Sequence, residues 1–490
     1  YILSPHTYED MRQYYVQVQL HLLKIFLPCS LGLTIYKITN IHLFLQTDQL
    51  LTNKNHILSF QLLINSRIFV GKLINFNMTK EKIAFVVARY GLNINGGAEY
   101  HCRMLAERLV DDYDVEVLTT CVENYRTGGN IEAKEEETIN NVHVKRFKAD
   151  PIHPELEECY KKEAKPAYKL RKFLYKCRLL APISFFYPIW HYKEKEELKL
   201  LNSQVFYSST LFDYIKKNKD NYKAIIPITL DYPHVYYTTL YAPEKTIIIP
   251  TMHYHKVAFR SILTKAFTKA AYIGFNTTAE QKLAERIFGM HMSPHNIISV
   301  GIEIATPTDW EITKQKYNLP NEYLLYVGRV DQGKLNNIFS YFMEYKKKNP
   351  TSKLKFVLVG KQYSEPFIHP DIIYTNFVEE GEKIAIIQHA KIVINPSQCE
   401  SLSLILLEAM TLKKAMLVNG NCNVLKEHCL KSNHAALYYT NQHNFIKQLQ
   451  KLDFSDALRD EMSKKGVTYI AKNYNWDVIM NRLKKVIENI

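Results

Sequence analysis

Several signatures that would assign a function at once are missing from this sequence. Its eight cysteines are scattered and form no Cys-x-x-Cys pair. Cys422 and Cys429 lack the matching His or Cys pair of a zinc site, so we expect reduced thiols in a cytosolic protein. The apolar stretch Ile25–Tyr36, between Lys24 and Lys37, is shorter than the ~20 residues that a membrane span needs. No signal peptide is recognisable.

Glycine is scarce, with 16 residues, and the dinucleotide signature Gly-x-Gly-x-x-Gly is absent, which argues against a nicotinamide dehydrogenase. Gly91, Gly96 and Gly97 instead follow the first predicted strand, directly before a helix. Glycine allows close approach of the backbone to a ligand, and a helix N-terminus favours anions. The same pattern fits an ordinary turn, and both interpretations stay open at this point.

Acidic residues are outnumbered, and the formal net charge is +14. This excess suits an anionic partner such as nucleic acid, a phospholipid surface or a phosphorylated substrate. The sequence has no helix-turn-helix, zinc or RNA-recognition signature, so we expect no specific nucleic-acid partner. A basic protein that binds nucleic acid or membranes without sequence preference is the alternative from another functional class.

The chain has 490 residues, and single cores stop growing at roughly 250–300 residues, which predicts two or more domains. Residues 1–77 show no strand–loop–helix rhythm, and the pattern changes at Met78. We expect 1–77 to be an extension, or translated sequence upstream of the real start. The rival interpretation is a small membrane-proximal or partner-binding segment. The remaining predicted boundaries are 78–317, 318–473 and 474–490.

Short β-branched runs alternate with helical patterns from Lys82 onward, which predicts an α/β fold with two Rossmann-like, doubly wound domains. Asn318–Tyr323 is the predicted linker, and the cleft between the domains is the default site. The predicted strands of the first domain are Ile83–Ala88, Val115–Thr120, Val142–Phe147, Ala224–Thr229, Thr246–Met252, Ala271–Thr277 and Ile297–Val300. Those of the second are Tyr323–Val327, Lys355–Val359, Ile372–Tyr374, Lys391–Asn395, Ala415–Val418 and Ala436–Tyr439. Predicted helices include Ala98–Leu109, Asn336–Lys347, Glu382–Ala390 and Ser403–Leu412.

Two groups of polar residues follow strands of the second domain. Arg329 and Lys334 can bind a diphosphate, although solvated loop cations would look the same. Glu400 lies in a loop and Glu408 on the next helix, where carboxylates can accept hydrogen bonds from a sugar hydroxyl and a ribose diol. A helix stabilised by an N-terminal acid is the plainer interpretation. Backbone N–H groups around the intervening helix start can bind a phosphate; the residues there are Ser401, Leu402, Ser403 and Leu404.

These motifs, taken in order, resemble the retaining glycosyltransferases of family four, which have the GT-B fold. The resemblance covers residues 82–490 and is carried by "GGAEYHCRMLAERL", "VGRVDQGK" and "PSQCESLSLILLEAM" among others. The two glutamates eight residues apart, preceded by Pro-Ser, are its most specific part. The resemblance implies an acceptor-binding domain at 78–317 and a nucleotide-sugar-binding domain at 318–473. It also implies that 474–490 is a helix that crosses back to the N-terminal domain.

The resemblance implies a role for each donor-site residue. Arg329 and Lys334 would contact the donor diphosphate, Glu408 the ribose, and Glu400 the transferred sugar. Ser401-Leu402-Ser403 stands where the family usually has Gly-Phe-Gly, so bulkier residues are expected to narrow the approach of the backbone to the sugar.

On the acceptor side, Gly96 and Gly97 would line the cleft near the phosphates or the acceptor. His253 would match the active-site histidine of the family, although most of the 18 histidines should be surface residues. His253-Tyr254-His255 replaces the His-Asp-Glu of many related chains, which affects the expected recognition of sugar or acceptor.

The implied reaction transfers a sugar from a UDP- or GDP-sugar to a glycan or lipid-linked acceptor with retention of configuration. The implied setting is bacterial surface-polysaccharide or lipopolysaccharide synthesis, in the cytoplasm or on the inner face of the cytoplasmic membrane. We expect no cofactor and no metal, because Asp112-Tyr113-Asp114 precedes a strand and so lies at the edge of the sheet away from ligands. A nucleotide-sugar epimerase, a phosphorylase or another GT-B enzyme is the alternative.

One basic segment suggests an anionic membrane surface as a further partner. Residues Lys161–Arg178 carry eight Lys and Arg residues against one acid, Glu163, with apolar residues between them. A basic amphipathic helix can lie on an anionic leaflet, but a solvated helix face would have the same composition. Its cations are Lys161, Lys162, Lys165, Lys169, Arg171, Lys172, Lys176 and Arg178, and the interleaved apolar residues are Phe173, Leu174, Tyr175, Leu179 and Leu180.

Overall fold

The structure is a computed structural model that describes residues 80–92, 94, 96–124, 128–186 and 192–490, with the backbone alone described at 184–186. The predictions for residues 1–77 and for Ile25–Tyr36 lie outside the described residues and stay predictions.

The first domain is built on two parallel sheets that adjoin each other. Its strands are β1 (Lys82–Val86), β2 (Asp114–Thr120), β3 (Glu136–Ile139), β4 (Val142–Phe147), β5 (Ala224–Pro227), β6 (Ile247–Ile248), β7 (Tyr272–Phe275) and β8 (His295–Ile297). The sheet orders are β3-β4-β2-β1-β5 and β6-β7-β8. Isolated parallel bridges join residues near β5 to residues near β6. Only β3 runs antiparallel to its neighbour in these sheets, and it forms an edge.

Helices cover both faces of these sheets. They are α1 (Gly97–Leu109), α2 (Pro154–Lys176), α3 (Leu180–Phe186), α4 (Glu194–Asn202), α5 (Ser209–Asn218), α6 (Pro233–Tyr241), α7 (Leu263–Lys269) and α8 (Thr278–Phe288). Helix α1 follows from the spacing of its apolar residues, because Cys102, Leu105, Ala106 and Leu109 recur on one face and are fully buried. They pack against the inner side chains of the sheet, including Phe85 of β1.

The second domain is a single six-stranded parallel sheet in the order β11-β10-β9-β12-β13-β14. Its strands are β9 (Tyr323–Val327), β10 (Lys355–Val359), β11 (Ile372–Asn376), β12 (Ile392–Asn395), β13 (Met416–Asn419) and β14 (Ala436–Tyr439). Its helices are α9 (Trp310–Tyr317), α10 (Gln332–Leu335), α11 (Ile338–Lys348), α12 (Glu380–His389), α13 (Leu404–Thr411), α14 (Asn423–Lys431), α15 (Gln442–Phe454) and α16 (Asp456–Asn473). The central strands are almost continuously apolar because helices bury both of their faces.

The chain crosses between the domains twice. It first passes over residues 298–309, which contain no helix or strand, and so earlier than the predicted linker Asn318–Tyr323. Helix α9 already packs on the second domain, where the Trp310 ring stacks on His389 at 3.8 Å.

The last helix, α17 (Trp476–Glu488), returns to the first domain. Its residues Ile479, Leu483 and Ile487 are fully buried in the same core as Leu105 and Leu109 of α1. Each such side chain contributes about 1.5–3 kcal/mol relative to exposure in water. The helix therefore holds the two domains together as well as ending the second one.

The predicted α/β fold with two doubly wound domains is confirmed, and three strand details differ. The predicted strand Thr246–Met252 contributes only β6 to the ladder. The predicted strand Ile297–Val300 is displaced to β8, since Ser299 has a left-handed φ of 69°, which ends extended backbone. The polar edge strand β3 was not indicated by the sequence pattern.

The basic segment 161–178 lies mostly on α2, and one of its predicted surface cations is not at the surface. Arg171 is 2% exposed, and its Nη2 donates a hydrogen bond to Thr264 Oγ1 at 3.3 Å. Burial lowers the pKa of Arg171 to about 10, against the attraction of Glu197. The prediction that Arg171 contributes to a basic surface is therefore wrong, because its guanidinium packs inside the first domain.

Candidate functional site

The loops after β9 and β12 lie side by side because these strands are neighbours in the second sheet. Lys334, on α10, and Glu400, in the loop after β12, form an ion pair with Nζ and Oε1 2.7 Å apart. Lys334 Nζ also donates to Ser397 Oγ at 3.3 Å. Two residues that are 66 apart in the chain thus meet at the carboxyl edge of the sheet, where open α/β sheets bind ligands.

The backbone beside Arg329, after β9, packs closely against the backbone that follows the neighbouring strand β10. Gly328 has a φ of 147° and Gly360 a φ of 137°, and a β-carbon on Gly360 would collide with the carbonyl oxygen of Gly328. Tyr326 donates from its hydroxyl to the carbonyl oxygen of Arg329 at 2.7 Å. The Arg329 side chain is 51% exposed, with Nε 3.9 Å from Asp331 Oδ2.

Glu408 lies on α13 and is almost completely buried. Burial raises the pKa of its carboxyl group, and the nearby Lys383 opposes that shift. Lys383 Nζ, from α12, lies 2.9 Å from Glu408 Oε1 and 2.7 Å from Glu380 Oε1. Burial disfavours the charged ammonium, yet the two carboxylates raise the pKa of Lys383 above its ordinary value. At the place predicted for a ribose, the structure thus has a carboxylate already hydrogen-bonded to a partly buried lysine.

The start of α13 lies between Glu400 and Glu408 in the chain. Ser403 has a φ of 82°, in the left-handed region that glycine adopts at no cost. The Asn395 side-chain amide donates to Ser403 Oγ at 2.9 Å and fixes this geometry. Leu404 begins the helix, so its N–H belongs to the first turn, whose donors have no partner within the helix.

The structure assigns different surroundings to Ser401 and Leu402, which the sequence placed together with Ser403 and Leu404. The Leu402 side chain is 5% exposed and packs in the second-domain core, so only its backbone can face a ligand. The Ser401 carbonyl oxygen accepts from Thr277 Oγ1 of the first domain at 3.2 Å. This loop is therefore part of the contact between the domains.

The first domain presents its own polar pair opposite this edge. Gly96 caps α1, and a β-carbon there would collide with the carboxylate of Glu99. Arg89 and Glu99 form an ion pair, with Arg89 Nη2 2.7 Å from Glu99 Oε1. Gly97 is open, with no atom within 4 Å of an added β-carbon. A side chain at Gly96 would displace the Glu99 carboxylate, whereas Gly97 leaves space in front of the helix.

Two tyrosines are influenced by charges from both polar edges. Burial raises the pKa of Tyr232, and so do the charges of Glu99 and Asp231, while Arg89 and Arg329 oppose the shift. Tyr232 therefore lies within reach of charges from both domains. Burial and Glu380 likewise raise the pKa of Tyr100 on α1, with smaller effects from Lys383 and Glu408 of the second domain. The predicted cleft between the domains is where these groups converge.

His253 follows β6 on the first-domain side. Its ring lies 5.7 Å from that of His255, and within the described part of the chain no side-chain hydrogen bond to it is found. The loop in front of it is held by Glu280 of α8, whose carboxylate accepts hydrogen bonds from the backbone N–H groups of Met252 and Asn276. The structure thus gives His253 a rigid support, although it does not join it directly to Lys334.

Sequence reasoning missed Lys383, the Arg89–Glu99 pair and Glu280. A signal existed only for Glu280, since Thr277 and Glu280 have the spacing of a capping box. The Thr277 hydroxyl accepts from the Glu280 N–H at 3.2 Å.

Two further predictions can be compared with the described residues. Asp112 lies before β2, at the amino edge of the sheet, and its carboxylate is ion-paired with Lys484. Across residues 80–490, where described, no group of three or more His, Cys, Asp or Glu side chains is placed to hold a metal ion. None of the described helices is both long and apolar enough to cross a membrane.

Comparison with known proteins agrees with this geometry. Residues 309–469 match the glycosyl transferases group 1 family. They contain Arg329, Lys334, Glu400 and Glu408 together. No protein of curated function matches the sequence.

Solved structures similar to this chain span both domains. An E. coli trehalose-6-phosphate structure bound with UDP-2-fluoro glucose is 12% identical, with a TM-score of 0.58, and covers 83% of this chain and 99% of its own. Sucrose-phosphate synthase from Thermosynechococcus elongatus is 13% identical, with a TM-score of 0.56, over 84% and 99%. Anabaena HepE, in complex with UDP and glucose, is 12% identical, with a TM-score of 0.56, over 84% and 100%. The described chain therefore has the GT-B fold.

Proposed function

We propose that this chain is a retaining glycosyltransferase that moves a sugar from a nucleotide-sugar donor to a glycan or lipid-linked acceptor. The observation that carries the proposal is the ion pair between Lys334 and Glu400 at the adjoining carboxyl ends of β9 and β12. It sets a cation suited to a diphosphate beside a carboxylate suited to a sugar hydroxyl. The donor is a UDP- or GDP-sugar, and the UDP in the similar Anabaena HepE structure favours testing UDP-sugars first.

Fixed positive potential would stabilise the departing nucleoside diphosphate. Arg329 and Lys334 supply two cations, and the N-terminus of α13 adds backbone N–H donors. The diphosphate would displace Lys334 from Glu400, which frees the carboxylate for the sugar. Since these groups meet the charge of the leaving group, we propose that the reaction needs no divalent metal and no cofactor.

The proposed transfer takes place on one face of the sugar. The bond from the anomeric carbon to the diphosphate oxygen breaks, and the acceptor hydroxyl attacks from the same side. The acceptor proton passes to the departing phosphate oxygen, so no protein carboxylate has to act as a general base. Glu400 holds a sugar hydroxyl, and His253 contacts the sugar or the acceptor from the first domain.

The test begins with a thermal-shift screen against UDP-, GDP-, ADP- and CMP-sugars, since a ligand that binds the native state raises its stability. Product configuration is then measured by NMR, and initial rates with and without EDTA. We expect a retained anomeric configuration and unchanged rates in EDTA. An inverted product, or activity lost in EDTA and restored by Mg²⁺ or Mn²⁺, would contradict the proposed mechanism. The epimerase alternative predicts conversion of the donor without any acceptor.

We place the reaction at bacterial surface-polysaccharide or lipopolysaccharide synthesis, with α2 resting on the inner face of the cytoplasmic membrane. Helix α2 and its C-terminal turn expose Leu170, Phe173 and Leu179 beside cations that include Lys169 and Lys176. Exposed apolar and basic side chains on one helix favour an anionic membrane surface.

Sedimentation with vesicles tests this contact. The chain should bind vesicles containing anionic lipid and not neutral ones, with about 1 kcal/mol lost for each cation removed. The variant Lys169→Gln/Lys176→Gln should bind more weakly than Lys447→Gln/Lys451→Gln, which removes two exposed cations from α15. Equal binding to both vesicle types, or none to either, would rule out the proposed membrane contact.

A further inference from the structure

A pocket lies where the two domains and α17 meet. It is separate from the donor edge, which is the carboxyl edge of the second sheet that carries Lys334 and Glu400. It has a volume of about 690 Å³, within the range of roughly 300–1,000 Å³ that small-molecule sites occupy. Residues from β7 and β8 form one wall, and α14, α16 and α17 form the other. Arg329, Lys334, Glu400 and Glu408 do not line it.

The inner wall of this pocket carries two buried polar atoms without a partner. Asn276 Oδ1 and Ser299 Oγ accept or donate no hydrogen bond within the described structure. The two residues are 2% and 3% exposed. A buried polar group without a hydrogen-bond partner is unfavourable, and a hydroxyl group of a bound molecule that paired with either atom would relieve that cost.

The opposite wall is positively charged. Arg482 and Lys485 of α17 line the pocket, are exposed, and have no ion-pair partner among the described residues. Lys431 of α14 adds a third cation, and it is 2.7 Å from the only acidic side chain that lines the pocket, Glu427. Glu427 also accepts a hydrogen bond from the Thr278 N–H at 3.1 Å. Three cationic side chains therefore line the pocket against one acidic side chain, which is already ion-paired.

We propose that this pocket binds a small phosphorylated sugar at a site separate from the donor cleft. The phosphate is bound by Arg482 and Lys485, and the sugar hydroxyls reach Ser299 and Asn276. Guanidinium and ammonium groups are the usual partners of phosphate. A neutral sugar would leave the cations unused, and a bare anion would leave the inner polar atoms unpaired.

One residue that lines the pocket also contacts the donor loop, which is the loop after β12 that carries Glu400 and Ser401. Thr277 lines the pocket, and its hydroxyl donates to the carbonyl oxygen of Ser401, next to Glu400. A bound molecule would thus contact the segment that joins α8 to the donor loop. This placement favours an effector that senses the relative position of the domains over a second substrate.

Calorimetric titration of the whole chain with glucose 6-phosphate, inorganic phosphate and glucose tests the site, with saturating UDP present to occupy the donor cleft. We expect glucose 6-phosphate to bind, inorganic phosphate to bind more weakly, and glucose not to bind. Arg482→Gln/Lys485→Gln should weaken glucose 6-phosphate at least tenfold. The matched control Lys447→Gln/Lys451→Gln, with the same charge change on α15, should stay within twofold of the wild type.

The inner wall is tested by Ser299→Gly, which suits the left-handed φ of 69° at this position. This variant should weaken glucose 6-phosphate and leave the affinity for inorganic phosphate unchanged. Absence of binding in the presence of UDP would overturn the proposal. So would wild-type affinity in the α17 double variant, or an equal loss in the α15 control. Because the titration does not measure transfer, its outcome is independent of the glycosyltransferase assay.

Discussion

Glu280 allows the sharpest prediction because it links a buried charge to the loop that carries His253. Its side chain is 1% exposed and accepts backbone hydrogen bonds from Met252 and from Asn276, the latter at 2.6 Å. Burial raises the pKa of Glu280 from 4.5 to about 8, against three backbone N–H groups that favour the ionised form. The carboxyl group should therefore be protonated in the native protein at neutral pH and ionised in the unfolded chain.

The sign of the pH dependence follows from this difference. A group whose native pKa is raised contributes stability that is complete below its unfolded pKa and is lost as the pH rises through its native pKa. Between pH 7 and pH 9 the native carboxyl group releases most of its proton, whereas the unfolded one has none to release. Integration over that interval gives a loss of roughly 1.4 kcal/mol in the free energy of unfolding from Glu280 alone.

Urea unfolding at pH 7, 8 and 9 measures this loss. Glu280→Gln places a neutral amide where the protonated acid stands, so the difference in unfolding free energy between wild type and variant should shift by about 1.4 kcal/mol between pH 7 and pH 9. Glu285→Gln, on the more exposed face of the same helix, is the matched control. Parallel pH profiles for wild type and Glu280→Gln would refute the reasoning.

Two further predictions concern α13. Glu408→Ala should lower kcat/KM by about 5- to 150-fold in a folded protein, since it removes a buried hydrogen-bonding carboxylate worth roughly 1–3 kcal/mol; steady-state kinetics with a circular-dichroism control measure this, and near-normal transfer would exclude the role. Ser403→Gly should be more stable than Ser403→Ala by about 1 kcal/mol or more, because only glycine adopts a φ of 82° without strain; urea unfolding compares them, and equal stabilities would contradict a strained serine.

Much of the fold could be predicted because buried parallel strands leave a clear signal. Strands β9 and β10 were predicted with their observed bounds, since helices bury both faces and the runs are apolar apart from Lys355 at the start of β10. Strand β3 alternates exposed and half-buried residues at a sheet edge, and its polar sequence resembles a loop. Strand β6 keeps only two residues in the ladder, because the rest of its apolar run forms the approach to His253.

The residues of the donor edge could be predicted where they directly follow a strand, because the place of a strand in the sheet fixes where the next residues lie. Lys334 and Glu400 each follow a strand, and neighbouring parallel strands bring their carboxyl ends together. Lys383 could not be found in this way, because it lies inside α12 with no distinguishing neighbours. Its importance comes from the tertiary contact with Glu408 at 2.9 Å. Spacing identifies residues on consecutive elements, whereas ion pairs between helices depend on how those helices pack.

The segment Ser401-Leu402-Ser403 departs from the glycines expected there, and the structure gives each residue a separate reason. Leu402 turns its side chain into the core, so its bulk does not narrow the cleft. Ser403 keeps a glycine-like backbone with the help of the Asn395 amide. The carbonyl oxygen of Ser401 accepts a hydrogen bond from the Thr277 hydroxyl of the first domain. The backbone path of a glycine turn is thus preserved at the cost of local strain.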